Sequence, residues 1–301
     1  MSVALKSVIT ETAQSLEEKL TSLLGETVRS EELARPERLL EAMNYAALSG
    51  GKRLRPVLMV EAARLFGHED EGTLVAASAL ECIHCYSLAH DDLPAMDDDD
   101  VRRGRPTTHK AFDEATAILA GDALLTIAFD FIADEQVHPD PAIRLRLSRE
   151  LARASGIGGM AGGQMLDLAS EHRDRTEAEI RQLQAMKTGA LIRYACRAGA
   201  MLANATEDDI ARLTRFGEII GLAFQLADDL LDLTGDAEVV GKATGKDAEA
   251  GKATLVSLLG ENHTRQELSR LIAEADELLE PYGAKANTLK TLARYIADRE
   301  S

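Results

Sequence analysis

The sequence predicts an all-α protein that forms one domain over its 301 residues. Apolar residues recur at helical spacing through long stretches such as Ile180–Leu202. Thr176 and Glu179 have the spacing of a capping box at a helix start. Thr264 and Glu267 repeat that spacing later in the chain. Because the alternating pattern of strands is nearly absent and no linker-like segment divides the chain, we expect roughly ten or more helices and no sheet of consequence.

Proline and glycine indicate the ends of individual helices. Pro36 suits the first turn of a helix that the Gly50–Gly51 pair would close. Pro56 suits the first turn of the next helix, which would end by Gly67. Further along, the polar, glycine-containing segment 235–251 predicts a loop inside the domain.

The composition argues against several functional classes. Hydrophobic residues make up 45% of the chain and charged residues 28%, which is ordinary for a folded protein. The formal net charge of −17 disfavours nucleic acid and anionic membranes as partners, since it repels phosphates at long range. No apolar run reaches the roughly 18 residues of a membrane span, and the first residues lack the apolar core of a signal peptide. We therefore expect a cytoplasmic protein without a membrane span.

The three cysteines are predicted to be core residues. A small, odd number argues against a disulfide framework and fits a reducing compartment. Cys82 and Cys85 form a C-x-x-C on a helical stretch, but no further metal ligands or redox domain accompany them.

Two clusters of aspartates, over 91–100 and 228–232, each follow an apolar helical stretch. Asp228 and Asp232 share one helical face, where like charges repel unless cations compensate. A solvated acidic loop would explain one such cluster, whereas two in the same setting favour a metal site. Oxygen ligands without an adjacent His or Cys set favour Mg²⁺ over zinc. The pattern therefore predicts Mg²⁺ ions bound together with phosphate groups.

The first cluster should contain a turn. Pro94 cannot continue a regular helix and pushes the residue before it away from helical angles. We expect the helix to stop near Asp92, and the turn to bring Asp97 back towards Asp91.

The positive charges are grouped despite the acidic total. The groups are Lys52, Arg53 and Arg55; Arg102, Arg103 and Arg105; Lys187; and Lys242, Lys246 and Lys252. The first group precedes a predicted helix start, which is itself a favourable anion site. Cations beside acidic metal ligands indicate a metal–diphosphate site with direct Arg and Lys contacts. The alternative is that Arg102 and Arg103 only neutralise the neighbouring aspartates.

Six motifs together resemble the trans-isoprenyl diphosphate synthases. They are GGKRLRP, HDDLPAMDDDDVRRGRPTTH, GGQMLDL, MKTGALI, FQLADDLLD and GKATL, and they span about Tyr45 to Leu259. The spacing within the first aspartate motif is similar to that of bacterial farnesyl diphosphate synthases. The resemblance implies the isoprenoid synthase helical bundle with a central cavity, and usually a homodimer. It also implies condensation of dimethylallyl or geranyl diphosphate with isopentenyl diphosphate to give mainly farnesyl diphosphate.

The resemblance assigns roles to individual residues. The Mg²⁺ ligands would be Asp91, Asp97 and Asp228, assisted by Asp92, Asp229 and Asp232, with about three ions per site. The allylic diphosphate would be held by Arg102, Lys187 and Lys252, and isopentenyl diphosphate by Lys52, Arg55, His84 and Arg103. Lys242 and Lys246 lie where the family closes a lid. On the residues alone, His84 would be a core histidine; the motif match favours binding instead.

The implied mechanism is ionisation followed by capture of the cation. Mg²⁺ and the basic residues would stabilise the departing diphosphate. The Lys187 carbonyl, the Thr188 hydroxyl and the Gln225 amide oxygen are candidates to stabilise the allylic cation. Gly189 would help to kink the helix and free carbonyls. The departing diphosphate is the expected base.

Tyr86 and Ser87 are the candidate determinants of chain length. They lie five and four residues before Asp91, so they occupy the helical turn below it. In the family, the fifth residue before the motif is the usual floor of the pocket, and a tyrosine there suits a C15 product. The alternative is that Tyr86 is ordinary core packing and the floor lies on another helix.

Other functions remain as alternatives. A geranyl or geranylgeranyl diphosphate synthase would differ only in product length. A terpene cyclase usually has an aromatic pocket, yet this chain has 4% aromatic residues and no Trp. A metal phosphohydrolase needs water beside motifs that here follow apolar helices. A non-catalytic partner subunit could dispense with both aspartate motifs. For the homodimer, the apolar stretch Ala115–Phe131 is the candidate interface.

Overall fold

The computed structural model describes residues 3–169, 175–234 and 254–298, and it is almost entirely helical. The first α-helices are α1 (Val3–Leu23), α2 (Glu37–Ala47), α3 (Leu54–Arg64), α4 (Glu71–Asp91), α5 (Thr108–Ala111), α6 (Glu114–Ala133) and α7 (Pro141–Ser155). They are followed by α8 (Met160–Leu168), α9 (Glu177–Gln184), α10 (Ala190–Leu202), α11 (Glu207–Thr234), α12 (Leu255–Leu259), α13 (Glu261–Leu279) and α14 (Asn287–Ala297). A π-helical turn, Ala185–Gly189, joins α9 to α10, and a 3₁₀ segment, Glu280–Ala286, joins α13 to α14.

The strands in the described part of the chain are two residues long. β1 (Val101–Arg102) pairs antiparallel with β2 (Arg105–Pro106). The predicted all-α class is confirmed.

Most of the predicted helix ends are confirmed. Helix α2 starts directly after Pro36, and α9 has the predicted capping box between Thr176 and Glu179. Helix α3 begins at Leu54, so Pro56 lies in its first turn, where proline is tolerated. The segment 235–251 lies outside the described residues.

The start predicted at Thr264 is wrong. Thr264 lies inside α13, and its hydroxyl donates to the carbonyl of Gly260 at 3.0 Å. Gly260 has a φ of 82°, a conformation suited to glycine, so the break between α12 and α13 falls there. Helix α13 therefore starts directly after Gly260, upstream of the start predicted from Thr264 and Glu267.

The chain divides into two compact units. One unit comprises Lys6–Val60 and Glu69–Ser148 and is called the N-terminal unit; the other comprises Met1–Leu5, Glu61–His68 and Arg149–Ser301 and is called the C-terminal unit. In the N-terminal unit α4 packs against α6, and α2 packs against both. In the C-terminal unit α11 packs against α10, α13 and α14, while α8 packs against the π-helical turn.

Close approach of α4 and α6 depends on a glycine. A Cβ at Gly121 of α6 would collide with the imidazole of His90 near the end of α4. His90 Nε2 lies 3.0 Å from the carbonyl oxygen of Ile118 on α6. This contact holds the end of α4, and with it the start of the first aspartate cluster, against α6.

Within the described residues, two helices are long and apolar enough to span a membrane by length and composition alone. In the most apolar window of α4, 78% of the residues are buried, as in a core helix. In α6 the buried share is 39%, and Ile118 and Leu119 are 43% and 57% exposed. Helix α6 therefore presents an apolar face that the N-terminal unit leaves largely uncovered.

The cysteines are free and buried, as predicted. Cys82, Cys85 and Cys196 all lie in the core. Burial raises the pKa of Cys85 and of Cys196 to about 12, so neither is a reactive thiolate at neutral pH.

Candidate active site

The first aspartate cluster forms the predicted turn. Helix α4 ends at Asp91, and the backbone N–H of Asp97 donates to the carbonyl of Asp91 at 2.8 Å. The N–H of Asp98 donates to the carbonyl of Leu93 at 3.2 Å. These bonds bring the backbone of Asp97 back to the end of α4, with Asp91 half-buried and Asp97 exposed.

Asp92 is committed to an ion pair inside the turn. Its side chain is buried and accepts hydrogen bonds from Arg102 Nε at 2.7 Å and Nη2 at 2.6 Å. Burial raises the pKa of Asp92, and the hydrogen bonds from Arg102 oppose that shift. Arg102 sits on β1, so the small hairpin fixes this guanidinium beside the aspartates. Asp92 thus positions Arg102, a role that sequence reasoning did not assign.

A basic corner beside α4 is formed by Arg55, His84 and Arg103, and Lys52 lies three residues before Arg55 in the sequence. Arg55 Nη1 lies 3.4 Å from His84 Nε2. Burial and then the positive charges of Arg55 and Arg103 hold the pKa of His84 well below its usual value, so its ring is neutral at pH 7. Lys52 is exposed. Two guanidinium groups and a neutral imidazole are therefore gathered where an anion would be stabilised.

Gly51 allows Arg103 to reach this corner. Gly51 has a φ of 120°, and a Cβ placed on it would lie 2.5 Å from the Arg103 guanidinium carbon. The guanidinium also donates to the carbonyl of Gly50. Gly50 and Gly51, which the sequence predicted to end a helix, therefore also contact the Arg103 side chain and hold it in place.

Arg53 turns away from the corner. Its side chain is buried, and Nη1 lies 2.6 Å from Glu81 Oε1 while Nη2 lies 2.8 Å from the carbonyl of Ala47. In the sequence, Arg53 is grouped with Lys52 and Arg55. In the structure its charge is paired with Glu81 inside the N-terminal unit.

The second aspartate cluster lies near the end of α11 in the C-terminal unit. Asp228 and Asp232 are half-buried and share one helical face. Asp229 is buried, and its Oδ2 accepts from Gln184 Nε2 and from the backbone N–H of Leu255, both at 3.2 Å. Asp229 therefore ties α11 to α9 and α12, which fixes the helix that carries Asp228.

Lys187 lies in the π-helical turn that ends at Gly189. Its Nζ lies 2.6 Å from Asp167 Oδ2 on α8. A Cβ at Gly163 would collide with the backbone nitrogen of Lys187, so α8 approaches this turn through a glycine. Thr188 and Gln225 are half-buried. A π-helical turn interrupts the regular hydrogen-bond ladder and often marks a functional position.

Two residues of the GGQMLDL motif were not predicted as site residues. Asp167 holds Lys187, and Gln164 is buried with neither amide atom hydrogen-bonded among the residues described here. The motif itself was the available signal, because a Gln and an Asp three residues apart share one face of α8.

Tyr86 packs towards the aspartate end of α4. Its ring contacts that of His90 edge-on, with centroids 5.9 Å apart. Burial and then the charge of Asp91 raise the pKa of Tyr86. The Ser87 hydroxyl donates to the carbonyl of His84 at 2.8 Å. Both side chains are half-buried on the stretch of α4 that leads to Asp91.

Lys242, Lys246 and Lys252 lie outside the described residues. The two aspartate clusters lie in different units: Asp91 and Asp97 in the N-terminal unit, Asp228 in the C-terminal unit.

Comparison with known proteins agrees with the motifs. The polyprenyl synthetase family model matches residues 36–292. The farnesyl diphosphate synthase of Micrococcus luteus is 43% identical over 290 residues, covering 94% of this chain and 99% of that protein. The Escherichia coli (strain K12) farnesyl diphosphate synthase is 46% identical over 267 residues, covering 87% of this chain and 89% of that protein.

The fold agrees as well. The apo crystal structure of an FPP/GFPP synthase from Zymomonas mobilis superposes with a TM-score of 0.88 at 44% identity, covering 98% of this chain and all of that one. This protein is therefore an enzyme of the polyprenyl synthetase family, the isoprenyl diphosphate synthases, as its motifs predicted.

Proposed function

We propose that this enzyme is a Mg²⁺-dependent prenyltransferase that condenses dimethylallyl or geranyl diphosphate with isopentenyl diphosphate to give mainly farnesyl diphosphate. The observation that carries the proposal is that the basic corner and the turn of the first aspartate cluster both lie along α4. His84 of the corner precedes Asp91 by about two helical turns, or about 10.5 Å. Each of these two features would bind one diphosphate. A condensation of two diphosphates requires two such binding sites.

The carboxylates fit Mg²⁺. An oxygen-only donor set at a helix end, with Asp97 folded back to Asp91, suits a hard cation that keeps several waters. Asp91 and Asp97 would hold Mg²⁺, together with Asp228 of the second motif. Bound Mg²⁺ supplies positive charge that stabilises the leaving diphosphate. Asp92, Asp229 and Asp232 would support these ligands, with about three ions per site.

The remaining roles belong to basic side chains and to His84. Arg102, fixed by Asp92, and Lys187, fixed by Asp167, would bind the allylic diphosphate, with Lys252 as a further contact. Lys52, Arg55, His84 and Arg103 would bind isopentenyl diphosphate, and Lys242 would also contact substrate. Because His84 is neutral, its imidazole can accept or donate one hydrogen bond without adding charge.

Carbon–carbon bond formation follows loss of diphosphate. The Lys187 carbonyl, the Thr188 hydroxyl and the Gln225 amide oxygen would stabilise the allylic cation by their dipoles. The double bond of isopentenyl diphosphate then attacks that cation, and the released diphosphate takes the proton lost from the adduct. The π-helical turn supports this role for Lys187, since it frees backbone groups from the regular ladder.

The proposal also specifies the length of the product. Tyr86 supports C15, because it lies five residues before Asp91 on α4 and is close enough for the Asp91 charge to raise its pKa. Geranylgeranyl pyrophosphate synthase 9 of Arabidopsis thaliana is 42% identical over 276 residues, covering 89% of this chain and 76% of that protein, so a C20 product is the nearest alternative.

We further propose that the enzyme is a cytoplasmic, single-domain homodimer. The exposed apolar face of α6 supports the dimer, because such a face is more stable when another surface covers it.

An assay of the organic product tests the function. The enzyme is incubated with Mg²⁺, geranyl diphosphate and labelled isopentenyl diphosphate. We expect a linear C15 diphosphate. A cyclic hydrocarbon would identify a cyclase, free phosphate alone a hydrolase, and no conversion a non-catalytic subunit; each would overturn the proposal.

A further inference from the structure

Three side chains that follow Asp97 offer donor atoms to a common point. Asp98, Asp100 and His109 each place one possible ligand atom within 4.8 Å of the others. The two aspartates are exposed, whereas His109 is only 6% exposed. The hairpin over 101–106 folds the chain back and brings His109 to the aspartates. None of the three was among the Mg²⁺ ligands expected from the motifs.

The hydrogen bonds around His109 indicate which ring nitrogen carries the proton in the neutral form. The Thr107 hydroxyl donates to the carbonyl of Asp99 at 2.8 Å, which uses its single proton. His109 Nδ1 lies 3.2 Å from the same hydroxyl oxygen, so Nδ1–H must be the donor in that contact. In the neutral ring Nε2 then carries a lone pair and no proton.

That lone pair has no hydrogen-bond partner. His109 Nε2 is buried and unpartnered among the residues the structure describes. A buried acceptor without a donor is unfavourable, and a cation coordinated by Nε2 would satisfy it. Histidine ligands of metals are commonly oriented by a hydrogen bond from the other ring nitrogen, as Thr107 orients this one.

The carboxylates are also able to accept a cation. Asp100 Oδ1 pairs with Lys110 Nζ at 2.8 Å. The Asp98 carboxylate makes neither a hydrogen bond nor an ion pair within the described ranges, and its backbone holds a φ of 48°. Positive φ is unusual for a residue with a side chain and is maintained here at a cost in backbone energy.

We propose that Asp98, Asp100 and His109 form a further cation site, for a divalent transition metal such as Zn²⁺, Mn²⁺ or Co²⁺. One imidazole nitrogen with two carboxylate oxygens suits these ions, whereas Mg²⁺ prefers oxygen ligands alone. Water completes the coordination. The site is distinct from the proposed catalytic Mg²⁺ ligands and does not depend on the proposed function. Its metal joins the turn after Asp97 to the start of α5.

A titration with Co²⁺ in saturating Mg²⁺ tests this site. Mg²⁺ occupies oxygen-only sites, so Co²⁺ absorption bands report the histidine-containing one. We expect one equivalent of Co²⁺ to bind. His109→Gln and Asp98→Asn should each weaken binding at least about tenfold, and Lys110→Gln should strengthen it because a competing cation is removed. His263→Gln, which changes an exposed histidine on α13, is the matched control and should bind as the unaltered protein does.

Two results would overturn the proposal, one from the titration and one from NMR. Equal Co²⁺ affinity in the unaltered protein and in Asp98→Asn would exclude the site. Because Asp98 is exposed, this variant should fold even if His109→Gln does not. Imidazole NMR gives the second result. We expect a proton on Nδ1 and a metal-dependent shift of the Nε2 signal, whereas a proton retained on Nε2 in saturating Co²⁺ would rule out coordination.

Discussion

The backbone N–H of Asp97 donates to the carbonyl of Asp91 at 2.8 Å, so the chain returns to the end of α4 six residues after leaving it. Pro94 prevents the helix from continuing through this stretch. The turn therefore clusters carboxylates that an uninterrupted helix would spread over several turns. Repulsion among them is the physical reason to expect a bound cation.

Gly51→Ala should impair binding of isopentenyl diphosphate. The added Cβ would lie 2.5 Å from the Arg103 guanidinium, and a φ of 120° is itself unfavourable for alanine. We expect KM for isopentenyl diphosphate to rise about tenfold or more, while KM for geranyl diphosphate changes little. Steady-state kinetics with each substrate varied in turn would show this.

Gly158→Ala is the matched control for Gly51→Ala. No atom in the part of the chain that the structure describes lies within 4 Å of a Cβ placed at Gly158. An equal rise in both KM values, or no rise at all for Gly51→Ala, would show that the basic corner does not bind isopentenyl diphosphate.

Glu81→Ala should strongly destabilise the enzyme. It would leave the buried Arg53 guanidinium without its 2.6 Å partner. Removing one member of a buried ion pair costs about 3–5 kcal/mol. Urea unfolding should therefore show a markedly lower midpoint.

Glu71→Ala is the control for Glu81→Ala, because the Glu71 side chain is 80% exposed and pairs with Lys19 at the surface. Its loss should cost less than about 1 kcal/mol. Similar unfolding midpoints for the two variants would mean that Arg53 does not depend on Glu81.

Tyr86→Ala should lengthen the product, and Ser87→Phe should shorten it. Removing the Tyr86 ring opens space below Asp91, whereas a phenylalanine at 87 fills it. We expect a shift towards C20 in the first variant and towards C10 in the second. Chromatography of the dephosphorylated alcohols is the measurement; an unaltered C15 profile in both variants would place the floor of the pocket on another helix.

Local chemistry explains which parts of the fold could be predicted from the sequence. The helix start after Pro36 and the capping box at Thr176 depend on residues within four positions of each other, so the sequence contains the whole interaction. The turn at Pro94 was predictable for the same reason. Thr264 and Glu267 also had the spacing of a capping box, but the glycine conformation at Gly260 determined where α13 starts.

Contacts between distant residues explain what the sequence could not predict. Arg53 turns inward because Glu81, 28 positions away, lies in the core beside it. Asp229 bonds to Gln184, 45 positions away. His109 meets Asp98 only because a hairpin of two-residue strands reverses the chain. In each case the charge and spacing of the residues in the sequence were compatible with several partners. The packing of the folded chain determined which partner each side chain contacts.

A homodimer is expected to form through α6. Light scattering at micromolar concentration should give about twice the monomer mass of 32.5 kDa. Leu119→Glu would place a charge on the exposed apolar face and should shift the mass towards the monomer. A monomer mass for the unaltered enzyme would refute the dimer, and an unchanged dimer in Leu119→Glu would exclude this face.

The most direct test of the central claim is the turnover of folded Asp91→Ala and Asp228→Ala variants with geranyl and isopentenyl diphosphates in Mg²⁺. Asp208→Ala, an exposed aspartate in the first turn of α11, is the control and should keep full activity. If both aspartate motifs bind the metal that drives ionisation, each variant loses kcat/KM by about a hundredfold or more. Near-normal turnover in either variant would contradict the account.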